Sequence, residues 1–155
     1  DITYAGRLEP HEVSSSFMRE LVLKVVNQEG PIHQQLVIRR ITNAFGKSRG
    51  GARIQESVMA GLSKCIQAGL LYVDENFYCN SDQLRSPPIR NRSEQDHETL
   101  KANHLPTWEI VAAANLVKAE SGEMSKDELI RAIRELLGYK KTGKDLLHVI
   151  ETALG

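Results

Sequence analysis

The sequence predicts a mainly α-helical chain built from two related three-helix units, the first of which carries a β-hairpin. Three observations predict it. Residues 30–62 reappear at 122–154, shifted by 92 positions without a gap. Apolar residues recur at helical spacing between glycine stops. Two β-prone runs flank a short polar turn after the third apolar stripe.

Seven of the 33 aligned pairs are identical: Gly30/Gly122, Ile38/Ile130, Arg39/Arg131, Ile41/Ile133, Gly46/Gly138, Gly51/Gly143 and Leu62/Leu154. The apolar register extends the match through Ile32/Met124, Val37/Leu129, Phe45/Leu137, Ile54/Leu146 and Val58/Ile150. A fixed period of this kind names the folding unit. Each copy reads as a helix, a glycine stop, a short turn with a second glycine, and another helix.

In the first unit, Ser14, Ser15 and Ser16 offer side chains that cap a helix start. Phe17, Met18, Leu21, Val22 and Val25 form its apolar stripe, and Gly30-Pro31 ends it. A second helix is expected over about 33–45, closed by Gly46, and a third over about 51–68, stopped by Gly69. Residues 70–73 and 77–79, around Asp74-Glu75-Asn76, read as a hairpin, and Ile32 would supply a short extra strand. Three helices followed by a hairpin is the layout of a winged-helix domain. The first such domain is placed at 13–80.

Residues 81–105 are polar, contain Pro87-Pro88 and show no apolar period. They read as a linker, partly draped on a domain. The second unit, 106–155, begins at Pro106-Thr107, a good helix start. Ile110, Ala113, Ala114 and Val117 form an apolar face, with Trp108 expected as an anchor between the units. Ser125 and Glu128 make a capping box. By the 92-residue shift a second hairpin would lie past Gly155, so this copy is expected to be wingless here. The fold class is thus tandem winged-helix-like (helix-turn-helix) units with one β-hairpin wing.

Composition narrows the function classes. The 155 residues balance 20 basic against 20 acidic side chains, and apolar residues reach 41%. Two cysteines without metal-ligand spacing read as buried thiols in a reducing compartment. No apolar run approaches the roughly 20 residues of a membrane span. The chain starts at Asp1, and it reads as a piece of a longer cytoplasmic protein. Gly46-Lys47-Ser48 resembles the end of a phosphate-binding P-loop, but position 41 is Ile41 and a helix precedes it, so that motif is rejected. The five histidines form no i,i+4 pair. No catalytic residue, metal, cofactor or bound nucleotide triphosphate is expected, and the chain is read as not an enzyme.

Zero net charge conceals an asymmetry. Residues 31–64 carry Arg39, Arg40, Lys47, Arg49, Arg53 and Lys64 against Glu56 alone, six minus one, or +5. Lys47, Ser48, Arg49, Gly50, Gly51 and Arg53 surround the start of the third helix, the element that enters the major groove in a winged helix. Helix N-termini attract phosphate through free N–H groups. Arg90 and Arg92 could extend this basic surface, and in the second copy Lys140, Lys141 and Lys144 are the counterparts, weakened by Asp145 where the first copy has Arg53. The partner so defined is duplex DNA, bound non-specifically. The alternative is protein–protein docking or homo-oligomerisation, through apolar side chains near Tyr72, Phe77 and Tyr78 or Trp108. Arg49 and Arg53 could also pair with Glu56 or cap neighbouring backbone.

The segments EGPIH (29–33), RRI (39–41), GKSRGGARI (46–54), GLLY (69–72), NFY (76–78), PPIRNRS (87–93) and LLGYKKTG (136–143) resemble an uncharacterised domain family. That family is found near the C-terminus of large bacterial proteins related to superfamily I DNA helicases. The resemblance runs from about Tyr4 to the end, and Arg49-Gly50-Gly51-Ala52-Arg53-Ile54 is its most specific part. It implies an accessory module that works with the remainder of a helicase-like parent chain, which carries the ATPase elsewhere. It transfers no catalytic residue.

Overall fold

The computed structural model describes residues 13–155; the start of the resemblance near Tyr4, and His11, lie outside the described residues. The chain divides into two compact units, one ending at Gln83 and the other running from Leu84 to Gly155.

In the first unit, Ser14 caps helix α1 (Ser15–Glu29) by accepting the Phe17 N–H at 3.1 Å. Met18, Leu21, Val22, Val25 and Val26 face the core at the three-to-four-residue spacing that keeps one helix face continuous. The C-terminal end of α1 is closed by a side chain from far along the chain. Gln83, itself buried, donates to the Val26 carbonyl at 2.7 Å and to that of Asn27 at 3.2 Å. The Val26 carbonyl also accepts the Gly30 N–H at 2.7 Å, whereas Pro31, four residues after Asn27, has no N–H to offer the Asn27 carbonyl.

Strand β1 (Ile32–His33) leads into α2 (Gln34–Ala44), and the His33 ring caps it by accepting the Gln35 N–H at Nδ1. Helix α3 (Ala52–Gln67) follows, then β2 (Tyr72–Asp74) and β3 (Phe77–Cys79). The sheet is antiparallel in the order β1-β3-β2, with Ile32 opposite Tyr78 and Val73 opposite Tyr78 on the other side. The extra strand at Ile32 is therefore present. The hairpin is tighter than its sequence suggests. Asp74 pairs with Phe77, so the turn is Glu75-Asn76 alone, both with positive φ, as a two-residue primed turn needs. Leu70 and Leu71 precede the strand, and Leu71 is buried in the core. That core is centred on Val22, Val26, Val37, Ile41, Val58, Leu62 and Cys65, all without measurable exposure.

The second unit is helical among its described residues. Helices α6 (Thr107–Ser121), α7 (Lys126–Leu137) and α8 (Lys144–Leu154) pack around Ile110, Ala113, Ile133, Leu137 and Ile150. The Ser125–Glu128 capping box is formed at the start of α7.

Residues 81–105 are not an unstructured stretch. They carry α4 (Ser81–Arg85), α5 (His97–Leu100) and a 3-10 turn (Ala102–His104), and bury Arg92, Thr99, His104 and Leu105. The second unit therefore begins at Leu84, and most of the segment read from sequence as a linker is part of its fold. A polar composition misleads here because the buried groups are hydrogen-bonded: Asp96 caps α5, and the His104 ring lies 2.8 Å from the Glu98 carbonyl.

The repeat extends past its sequence limits. Helices α1 and α6 are both 15 residues long, and α6, α7 and α8 each begin 92 residues after α1, α2 and α3. Gly46 and Gly138 have φ of 75° and 86°. Their N–H groups donate to Asn43 and Glu135, and the next residues, Lys47 and Tyr139, donate to Thr42 and Arg134. Gly51 and Gly143 are both extended N-cap residues.

Candidate nucleic-acid interface

The loop between α2 and α3 is held at its ends and open in the middle. At one end Gly46 reverses the chain. At the other, Gly50 packs so closely on Thr42 that a Cβ there would meet Oγ1 at 2.9 Å. Thr42 is itself buried, donating Oγ1 to the Ile38 carbonyl at 2.7 Å. Ile54 is buried and fixes the first turn of α3 to the core.

Between these anchors Lys47, Ser48 and Arg49 are exposed, as are Gly51, Ala52 and Arg53. Gly51 supplies no side-chain hydrogen bond to the α3 amides, and the first turn holds no acidic residue. Neither Arg49 nor Arg53 has a side-chain hydrogen bond or ion pair with any described residue, Glu56 included. Cations near a helix N-terminus oppose the dipole and are unfavourable by about 0.3–1 kcal/mol. Arg53 therefore does not serve helix stability. The geometry offers exposed guanidinium groups beside free backbone N–H groups, an arrangement suited to phosphate oxygens.

The second copy differs. Lys140, Lys141 and Lys144 are exposed around the N-terminus of α8, with Asp145 beside them. Gly143 again provides no side-chain cap. Arg92 does not offer its charge to a basic surface as its sequence suggests. The Arg92 guanidinium is buried, donating from Nη1 to Glu109 Oε2 and from Nη2 to Glu109 Oε1, both at 2.6 Å. Arg90 is half-buried, and its backbone N–H donates to the same carboxylate at 2.8 Å. The sequence reading missed Glu109. It stands four residues before Ala113 and eight before Val117, on the apolar stripe of α6, and a carboxylate there needs a cationic partner.

On the hairpin, Leu70, Tyr72 and Val73 are 44%, 44% and 46% exposed. Phe77 is half-buried, its ring edge-on to His33 at 5.1 Å, and Tyr78 belongs to the core. Trp108 is half-buried in the first turn of α6. Among the described residues no three His, Cys, Asp or Glu side chains converge to hold a metal ion, and no helix is long and apolar enough to cross a membrane.

A family model described as "Protein of unknown function (DUF3320)" matches residues 9–56. That stretch contains α2, the loop and the first turn of α3, with Arg49 and Arg53. No curated protein and no solved structure gives a match.

Proposed function

We propose that this chain is a non-catalytic, cytoplasmic, duplex-DNA-binding module of a larger helicase- or nuclease-type protein. Its first unit is read as a winged helix, on the element order helix–strand–helix–helix–hairpin with β1 against β3. The parent class rests on the resemblance of the sequence to a helicase-associated family. The single observation that carries the binding role is the exposed Arg49 and Arg53, unpaired among the described residues, at an N-terminus of α3 where no side-chain cap is formed.

The test is a salt titration of binding to duplex, forked and single-stranded DNA. Each contacted phosphate releases counterion, so affinity should fall steeply with salt. Arg49→Ala and Arg53→Ala should each weaken binding about equally on all sequences and reduce the salt slope by about one unit. Lys140→Ala should do less, because Asp145 lowers the potential there. Absence of duplex binding at low salt would sink this reading.

A second reading, protein docking or self-association, is favoured by the exposed Tyr72 and Val73 on edge strand β2 and Leu70 just before it. It predicts that Tyr72→Ser changes the oligomeric state by light scattering, while Arg53→Ala does not.

A further inference from the structure

The repeat places the same helix start in two different settings. In the first unit its residues 51–53 are exposed. In the second it lies in a cavity of about 700 Å³, lined among others by Arg92, Ser93, Tyr139, Lys140, Lys141 and Lys144. The stretch 89–95 walls the second site through Arg92, Ser93 and Gln95. Its Asn91, Arg92 and Ser93 lie so close to Gly138 that any Cβ there would collide with them. The Arg92 N–H donates to the Leu137 carbonyl at 2.8 Å, and the ion pair with Glu109 ties the Arg92 side chain to α6. Arg134 Nη1 donates to the Tyr139 carbonyl at 2.8 Å, at the start of the loop that carries the lysines. A buried ion pair is a poor source of net stability but defines a geometry. Here the geometry it defines is a pocket.

The charge of the pocket is equally specific. Arg92 is neutralised by Glu109. Three lysines less Asp145 leave two positive charges facing the cavity. The Tyr139 hydroxyl is buried with no hydrogen-bond partner among the described residues, a donor without an acceptor. We propose that this pocket binds a terminal phosphate group, a phosphomonoester or pyrophosphate. At neutral pH a phosphomonoester carries about −1.5 to −2 charges and three acceptor oxygens, matching the excess charge of the site. Several ammonium groups suit such a group better than a singly charged carboxylate. The volume, within the 300–1,000 Å³ typical of ligand pockets, admits the nucleotide to which the phosphate is attached. The proposal goes beyond the duplex-binding reading and does not depend on it.

The experiment uses the whole chain and two otherwise identical single-stranded oligonucleotides, one 5′-phosphorylated and one with a 5′-hydroxyl. Anisotropy should show the phosphorylated strand binding about tenfold tighter, the effect of one or two charge-assisted hydrogen bonds. The Lys140→Ala/Lys144→Ala double variant, altered only at exposed side chains, should bring that ratio to one. Arg49→Ala should leave the ratio intact, which separates this site from the first-unit interface. In a parallel arm, inorganic pyrophosphate should shift the amide resonances of Gly143 and Lys144. If pyrophosphate does so while the two strands bind alike, a small phosphorylated molecule is the source of the phosphate. Equal binding of both strands together with unmoved amide resonances overturns the proposal.

Discussion

Arg92 and Glu109 form a two-point ion pair across the second unit, with both contacts at 2.6 Å and the side chains 8% and 1% exposed. The carboxylate also accepts the Arg90 N–H, so three donors converge on it. Removing one member would leave the other charge buried and unmatched.

Glu109→Gln or Arg92→Ala should therefore destabilise the chain by about 3–5 kcal/mol in urea denaturation. An Arg92→Met/Glu109→Leu pair should lose far less, because no uncompensated charge remains. Near-equal losses for the single and double variants would show that packing, not charge, dominates at this position.

Gly138 and Gly46 occupy equivalent turns, yet their surroundings differ. Both have positive φ, so alanine costs about 1–2 kcal/mol at either through backbone conformation. Around Gly46 nothing lies within 4 Å of an added Cβ, whereas at Gly138 it would strike Asn91, Arg92 and Ser93. Gly138→Ala should cost clearly more than Gly46→Ala in the same denaturation experiment. Equal costs would mean that stretch 89–95 moves aside freely, and would weaken the case for a rigid pocket wall.

These two positions also show what a single sequence reveals. The glycine register predicted the repeat because a helix C-terminal turn needs a residue at positive φ, a local requirement written at one position. The hairpin was legible as two β-prone runs around a polar turn, but not the two-residue length of that turn, which pairing of Asp74 with Phe77 fixes. The pocket was not. Its wall depends on Arg92 meeting Glu109, 17 residues away. A polar, proline-containing stretch gives no periodic signal of burial. The basic loop 47–53 was legible as a run of charge, but that Arg49 and Arg53 are left unpaired depends on where Glu56 points, which spacing alone does not fix.

The two thiols make a third prediction. Cys65 and Cys79 are fully buried and unpaired with each other. Burial pushes the Cys65 thiol up, and burial together with Asp74 pushes Cys79 up to about 11. Neither forms the reactive thiolate readily, so both should react slowly with a disulfide reagent at mildly alkaline pH and rapidly in urea. Between the ordinary thiol range and about 11, folded Cys79 keeps its proton while the unfolded chain releases one. Folding stability should thus fall as pH rises through that window. Fast labelling of the native protein would show that the hairpin opens locally.

Gly51 offers a substitution that sets stability against binding. It is the N-cap of α3, with φ −77° and ψ −178°, and nothing lies within 4 Å of a Cβ placed there. Gly51→Asp therefore fits without strain and supplies the missing cap. The better cap and the favourable charge at the helix N-terminus should together stabilise the fold by about 0.5–1 kcal/mol. The same carboxylate would occupy the free amides and lie close to Arg49 and Arg53, removing the attraction for phosphate. The duplex-binding reading thus predicts a variant that melts at a higher temperature and binds DNA several-fold more weakly. A docking module using the hairpin would gain the stability and keep its partner. Thermal denaturation and low-salt duplex titration on the same preparation decide between them, since an N-terminus of α3 that contacts no phosphate would yield the first change without the second.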